Sequence, residues 1–179
     1  MIFHTTQLPG LLLIEPEEVH DTRGFFARTF CAEEFHAHEL PTAFPQCNLS
    51  FNHKRGTLRG MHFQKAPHEE LKLVRCTQGA VWDVVIDLRP DSPAFMQHLG
   101  FELTAQNRHQ LVVPKGCAHG FQTLCDHTEL FYMMSDPFAP GFGAGVRYSD
   151  PAFGIAWPLP VAVISERDAE YPDFQPPSP

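Results

Sequence analysis

Two imidazoles in strand-like runs are the residues from which chemistry would start. The first lies in Gly56-Thr-Leu-Arg-Gly-Met-His62-Phe-Gln64 and the second in Val113-Pro-Lys-Gly-Cys-Ala-His119-Gly-Phe121. Strand alternation puts Leu58, Gly60 and His62 on one face and Arg59, Met61 and Phe63 on the other, so His62 points into an apolar interior. Pro114 and Gly116 make a tight turn that delivers His119 onto the start of the next strand, where it too can face inward. A lone buried histidine is most often a hydrogen-bonded core residue. Two in one interior suggest either a metal site or proton chemistry.

The spacing Pro114-x-Gly-x-x-His119 resembles the second motif of the cupin superfamily. The first cupin motif usually carries His-x-His with a Glu a few residues on. Here that place reads His62-Phe-Gln64, followed by Glu69. Glutamine is a poor ligand for a first-row transition metal beside imidazole. A metal-dependent oxygenase or isomerase using His62, Gln64, Glu69 and His119 is therefore the alternative, and proton chemistry the leading reading. Three further residues fit the latter. Lys72 sits in the β-type run Leu71–Cys76; it is either an edge lysine that blocks sheet pairing or a cation beside an enolate oxygen. Tyr132 is either aromatic core or a proton donor on a barrel wall. Asp168 is either a helix-start carboxylate or the group that orients His62 and raises its basicity.

Those residues need a scaffold of strands. Short β-type runs recur at Leu11–Ile14, Gly24–Phe30, Gln46–Phe51, Thr57–Phe63, Leu71–Cys76, Ala80–Leu88, His98–Leu103, His109–Val113, Gly120–Thr123, Glu129–Met134 and Val146–Tyr148. Many short strands at this spacing predict an all-β jelly-roll barrel. Ala80–Leu88 reads as a strand buried on both faces, with Asp83 inside it. Helix is confined to Ala32–Leu40, ended by Pro41, and to a last turn opened by the capping-box pattern Ser165-Glu-Arg-Asp168. One domain spans 1–179, with Gln175–Pro179 a frayed, proline-rich tail. Seventeen Pro and 12 Gly in 179 residues rule out long helical bundles.

Charge narrows the partners. The net charge of −8 argues against a nucleic-acid binder. Six of the 13 Lys and Arg nevertheless fall between Lys54 and Arg75, which is either a solvated basic face or a phosphate site. Five cysteines without CxxC spacing point to free thiols and a reducing compartment. No run approaches the 18 apolar residues that a membrane helix needs, and no signal peptide is visible, so a cytoplasmic protein is expected.

Taken together, these runs resemble the dTDP-4-dehydrorhamnose 3,5-epimerase family. The similarity is carried by Asp21-Thr-Arg-Gly-Phe-Phe26, Gln46-Cys-Asn-Leu-Ser50, Gly56–Gln64, Lys72-Leu-Val-Arg75, Asp83–Pro93, Val113–Phe121 and Asp150-Pro-Ala-Phe-Gly-Ile-Ala-Trp-Pro158, in order from about residue 3 to about 174. The resemblance implies a cupin-like jelly roll, a homodimer with strand exchange, and no metal or organic cofactor. It implies an epimerase that inverts C3 and C5 of a dTDP-linked 4-keto-6-deoxy sugar by enolisation; relatives that invert only C3 or only C5 are the variant reading. His62 matches the family's base, Asp168 its dyad partner, Tyr132 the proton donor on the opposite face, and Lys72 the cation beside the enolate. Arg23 and Arg59 match diphosphate ligands, with Gln46 and Asn48 nearby and Arg23 reaching the neighbouring subunit's site. Phe26, His119 and Phe138 match other substrate-lining positions, with Asp83 in support. The chain departs from the family pattern at Arg28, where a Glu is common, at Met133, where a Lys is common, and at Phe138, where a Tyr is common. These departures bear on which nucleotide base and sugar it takes. A sugar-nucleotide binder without activity is a third possibility, but such a protein has no use for an acid and a base on opposite faces.

Overall fold

The computed structural model describes residues 1–176. Among these residues thirteen strands form: β1 (Ile2–Thr5), β2 (Leu12–Glu15), β3 (Glu18–Asp21), β4 (Gly24–Ala27), β5 (Gln46–Asn52), β6 (Leu58–Gln64), β7 (Lys72–Gln78), β8 (Ala80–Asp87), β9 (His98–Thr104), β10 (Gln110–Val113), β11 (Cys117–Thr123), β12 (Thr128–Met134) and β13 (Gly143–Gly145). Two short helices, α1 (Ala32–Ala37) and α2 (Glu166–Ala169), complete the list. A six-stranded sheet runs β1-β2-β10-β7-β12-β5 and a five-stranded sheet runs β13-β6-β11-β8-β9; β3 and β4 form a separate hairpin. All pairings between named strands are antiparallel, as the expected jelly roll requires.

Three apolar clusters hold the layers. Val74, Leu111 and Leu130 of the six-stranded sheet meet Val81, Val85, Leu103 and Phe121 of the five-stranded sheet. This is the inter-sheet core. Outside the five-stranded sheet, Met61, Val84, Ile86 and Ala118 are covered by the later segment through Phe153, Trp157 and Phe174. Outside the six-stranded sheet, Ile14, Leu73 and Val112 are covered by Phe35 of α1. β8 is therefore buried on both faces, as its composition predicts: Val81 and Val85 face inward, Val84 and Ile86 outward.

Several boundaries differ from the expectation. β1 and β3 were not foreseen, because four-residue runs mixing His, Asp and Glu carry little β signal. The expected strand at Val146–Tyr148 lies earlier, at Gly143–Gly145, whose glycines and alanine hide it from propensity. Val146 still exchanges two backbone hydrogen bonds with Met61. β11 starts at Cys117 rather than Gly120, so His119 lies within the strand. α1 stops before Pro41 because Glu39 turns left-handed, with φ of 59°, and Leu40 N–H closes back on the Phe35 carbonyl. Of the expected loose tail, 177–179 lies outside the described residues.

One close approach sets the five-stranded wall. A Cβ on Gly60 would sit 2.5 Å from the Gly120 Cα, and one on Gly120 would sit 2.7 Å from the Arg59 carbonyl oxygen. Gly60 also holds φ of +130°, which side-chain-bearing residues avoid. Gly60→Ala therefore meets both a backbone clash and a forbidden conformation, at a cost of about 1–3 kcal/mol for the overpacking alone. A thermal midpoint several degrees below wild type is expected. Gly141→Ala, with φ of +87° but open space around the new methyl, should lose clearly less. Equal losses in a melting experiment would show that the Gly60–Gly120 contact is not the limiting constraint.

Candidate active site

Two linked cavities open between the sheets. One of about 170 Å³ is lined by Ser50, Arg59, His62, Lys72, His119 and Tyr132. The other, about 360 Å³, shares His62, Lys72 and Tyr132 and adds Gln46, Asn48, Glu70, Phe138 and Arg167. His62 and His119 stand opposite each other on β6 and β11, in the five-stranded wall. Lys72 on β7 and Tyr132 on β12 belong to the six-stranded wall. The candidate base and the candidate acid thus occupy facing walls.

His62 is half-exposed and its Nε2 lies 2.7 Å from Asp168 Oδ1. Asp168 is buried in α2, and its other oxygen accepts from Gly60 N–H at 3.2 Å. The capping pattern read from Ser165 is half realised. Ser165 Oγ accepts from Asp168 N–H, while the Asp168 carboxylate turns to the barrel and bonds His62 and Gly60. An ionised Asp168 makes Nε2 the protonated nitrogen, which leaves the Nδ1 lone pair as the base. Burial pushes the Asp168 carboxyl up, but the bonds from His62, Gly60 and Ser165 outweigh it and hold the pKa below the usual aspartate value.

His119 repeats the arrangement more deeply. Its Nε2 lies 2.9 Å from both Asp83 oxygens. Asp83 is wholly buried, and burial raises its pKa against the opposing pull of His119 and Lys72. Burial also raises the pKa of Tyr132, with Arg59 pulling it back, so the phenol keeps its proton through neutral pH. Lys72 Nζ is 2.7 Å from Glu70 Oε1 and reaches toward the His62 carbonyl oxygen at 3.4 Å. Glu70 was missed in the sequence. It precedes the strand that begins at Lys72, where alternation gives no guide.

Arg59 lines the cavity beside His62, against the alternation read from the sequence. The register explains the difference. His119 pairs with His62 but Phe121 pairs with Arg59, so β6 spends three residues where β11 spends two, and the bulge turns Arg59 inward. Its guanidinium is anchored by Asn52 Oδ1 at 2.7 Å and the Phe51 carbonyl at 3.3 Å. Gln46 and Asn48 lie in the wider cavity, where Gln46 Oε1 accepts from Phe138 N–H. Phe138 stands at the rim, 58% exposed.

Arg23 and Phe26 are not brought to this cavity. They sit on the β3–β4 hairpin, Arg23 bonded to Asp21 and Phe26 72% exposed. The four-ligand metal alternative also separates. The Gln64 amide is spent on the His68 and Pro137 carbonyls and on Ala139 N–H, while Glu69 lines a different cleft beside Arg89. Among the described residues no three His, Cys, Asp or Glu converge as a metal set. Of the departures, Met133 faces away from the site, against the α1 cluster. Arg28 pairs with Glu34 at 2.8 Å.

Known proteins resemble this chain over most of its length. The family model described as dTDP-4-dehydrorhamnose 3,5-epimerase matches residues 5–176. The chain belongs to the dTDP-4-dehydrorhamnose 3,5-epimerase family. The Salmonella typhimurium enzyme of that name is 39% identical over 176 residues, covering 96% of this chain and 94% of its own. The Bacillus anthracis enzyme, solved with TDP and PPi bound, superposes with a TM-score of 0.93 at 38% identity, covering 97% of this chain and 99% of its own. A 3'-monoepimerase from Streptomyces bikiniensis, in complex with dTDP-quinovose, gives 0.87 at 32%, covering 95% and 86%. The family's members are isomerases with this cupin-like fold, which bears out the resemblance read from the motifs.

The dyad leaves a mark on stability. A carboxyl whose pKa is lower folded than unfolded stabilises fully above the unfolded value near 3.9, and that stability fades as pH falls through the folded value. Urea unfolding of wild type and Asp168→Asn from pH 7 to pH 3 should show a gap that is widest at pH 7 and narrows below about pH 4. A gap independent of pH would remove the charge on Asp168 from the account.

Proposed function

We propose that the protein is a cofactor-independent epimerase that converts dTDP-4-dehydro-6-deoxy-D-glucose to dTDP-4-dehydro-L-rhamnose. The observation that carries this reading is the His62–Asp168 pair on one wall facing Tyr132 and Lys72 on the other. A C4 ketone acidifies the hydrogens at C3 and C5. His62 Nδ1 takes one such proton, and the Lys72 ammonium stabilises the negative oxygen of the enolate. Tyr132, still protonated, returns a proton to the opposite face of the same carbon. His62 has then gained a proton and Tyr132 lost one; exchange with water resets both before the second carbon is inverted. Asp168 stabilises the imidazolium through Nε2. His119 and Asp83 form the floor of the site and fix its polarity. Arg59 serves the diphosphate, because a planar guanidinium suits phosphate and this one carries no carboxylate partner among the described residues.

Arg23 and Phe26 act in trans in this reading. The β3–β4 hairpin leaves Val19, Phe25 and Phe26 exposed, and the outer edge strand β5 exposes Leu49 and Phe51. Apolar faces and an open strand edge of this kind fit a second copy of the chain. In a homodimer with strand exchange, the hairpin would carry Arg23 and Phe26 to the neighbouring cavity. Five free cysteines fit the cytoplasm.

Proton NMR of the dTDP-4-keto-6-deoxyglucose substrate in deuterated water tests the chemistry. Both the C3 and C5 hydrogen signals should vanish. Loss of one alone would mean a monoepimerase, and loss of neither would sink the proposal. His62→Ala should slow exchange at both carbons by about 10²–10⁴-fold. Tyr132→Phe should still exchange hydrogens but fail to invert.

Assembly is tested by sedimentation. Wild type should run as a dimer and Phe26→Asp as a monomer with weakened substrate binding. A monomeric wild type of full activity would refute action in trans.

A further inference from the structure

The His62 imidazole is held by a hydrogen bond at one nitrogen. Nε2 is bonded to Asp168, the one such partner of this ring among the described residues, and 43% of the side chain is exposed. A single bond leaves the ring free to pivot. The torsion about Cβ–Cγ of a histidine is soft. Nε2 lies nearer that axis than Nδ1 does, so a pivot that barely strains the Asp168 bond swings the Nδ1 lone pair. The base needs a second contact that sets the plane of the ring.

Tyr171 supplies that contact. Its ring meets the imidazole edge to face, with centroids 6.2 Å apart and planes at 71°. Such pairs add about 0.5–1.5 kcal/mol beyond their burial. The phenol is wedged in place. Gly145 on β13 pairs with His62 on β6, and a Cβ there would lie 2.3 Å from Tyr171 Cε2 and 2.4 Å from Cζ. The ring therefore sits directly on the bare backbone beside His62. The chain is tied on both sides of it. Three residues earlier, Asp168 bonds His62 and Gly60 N–H. Three residues later, Phe174 N–H donates to Asp150 Oδ2 and the Phe174 ring packs on Phe153. The Tyr171 hydroxyl is buried with no hydrogen-bond partner among the described residues, so the contacts are made by the ring.

Resting on the enzymatic reading above, we infer that Tyr171 is a positioning residue of the reaction, whose ring fixes the plane of the His62 imidazole and so aims the Nδ1 lone pair at the substrate carbon. Asp168 and Tyr171 divide the task. The carboxylate fixes the tautomer and the aromatic ring fixes the tilt. Both stand on one short segment, so the dyad's carboxylate and the wedge beside it dock together. The effect is geometric: misplacing a reacting group by about 1 Å can cost about 10²-fold in rate.

Tyr171→Leu removes the flat ring and keeps apolar bulk. Solvent exchange at C3 and C5 of the dTDP-linked 4-keto-6-deoxy sugar should fall about 10- to 100-fold in kcat, with KM within about 3-fold. Tyr171→Phe, which keeps the ring, should restore kcat to within about 3-fold of wild type. Tyr171→Met serves should the leucine variant fail to fold. Nitrogen NMR of the imidazoles, with His62→Ala assigning the His62 signals, reads the tautomer. Nε2 should stay protonated in Tyr171→Leu, because Asp168 is still bonded to it. A merely structural role would lower the melting temperature and leave kcat of the folded protein unchanged, which would overturn the inference. Loss of the Nε2–H tautomer in Tyr171→Leu would overturn it too, since Tyr171 would then act by holding α2. So would a Tyr171→Phe variant as slow as Tyr171→Leu. Absence of exchange in wild type would instead overturn the functional reading, and this inference with it.

Discussion

A charge moved from water into a protein interior must find a partner there or give up its charge. Around the cavities between the two sheets stand three buried carboxylates, a lysine and two imidazoles. Each is placed by the partner it needs: Asp168 by His62 and a backbone amide, Asp83 by His119, Lys72 by Glu70. The partners come from different strands, so charge pairing and sheet register must agree. The same pairs that make burial tolerable also fix which His62 nitrogen is free and where the Lys72 ammonium sits.

The two sheets divide the labour. The five-stranded wall carries the imidazoles and the six-stranded wall the lysine and phenol. Apolar packing fills one end of the space between them and leaves the other for a ligand. A rigid separation of acid from base follows from the sheet spacing and requires no moving part. This is why a strand scaffold suits a reaction that needs opposite faces of one carbon.

Much of this was legible in the sequence. The apolar run of β8, the turn before β11 and the Ser165 cap all point to the elements that form. His62, Lys72, Tyr132 and His119 do share a cavity, and Asp168 is bonded to His62. What escaped was register. One bulge on β6 moves Arg59 to the face of His62, and no periodicity rule reveals a bulge from one strand alone. Glu70 escaped because two adjacent glutamates at a strand's start look like a solvated turn. Arg23, which the resemblance assigns to the neighbouring subunit's site, and Phe26 lie away from this chain's own cavity, on a hairpin that pairs only with itself.

The last residue of the dyad comes from outside the barrel. Every named strand is complete by Gly145, whereas Asp168 arrives on α2, carried by a segment that crosses the outer face of the five-stranded sheet. During synthesis the barrel can close around His62 and Tyr132 before the carboxylate has left the ribosome. In that interval the imidazole has no anchor and no fixed tautomer. The anchor of the imidazole is thus a contact between residues 106 apart in the chain, made only when the covering segment is in place.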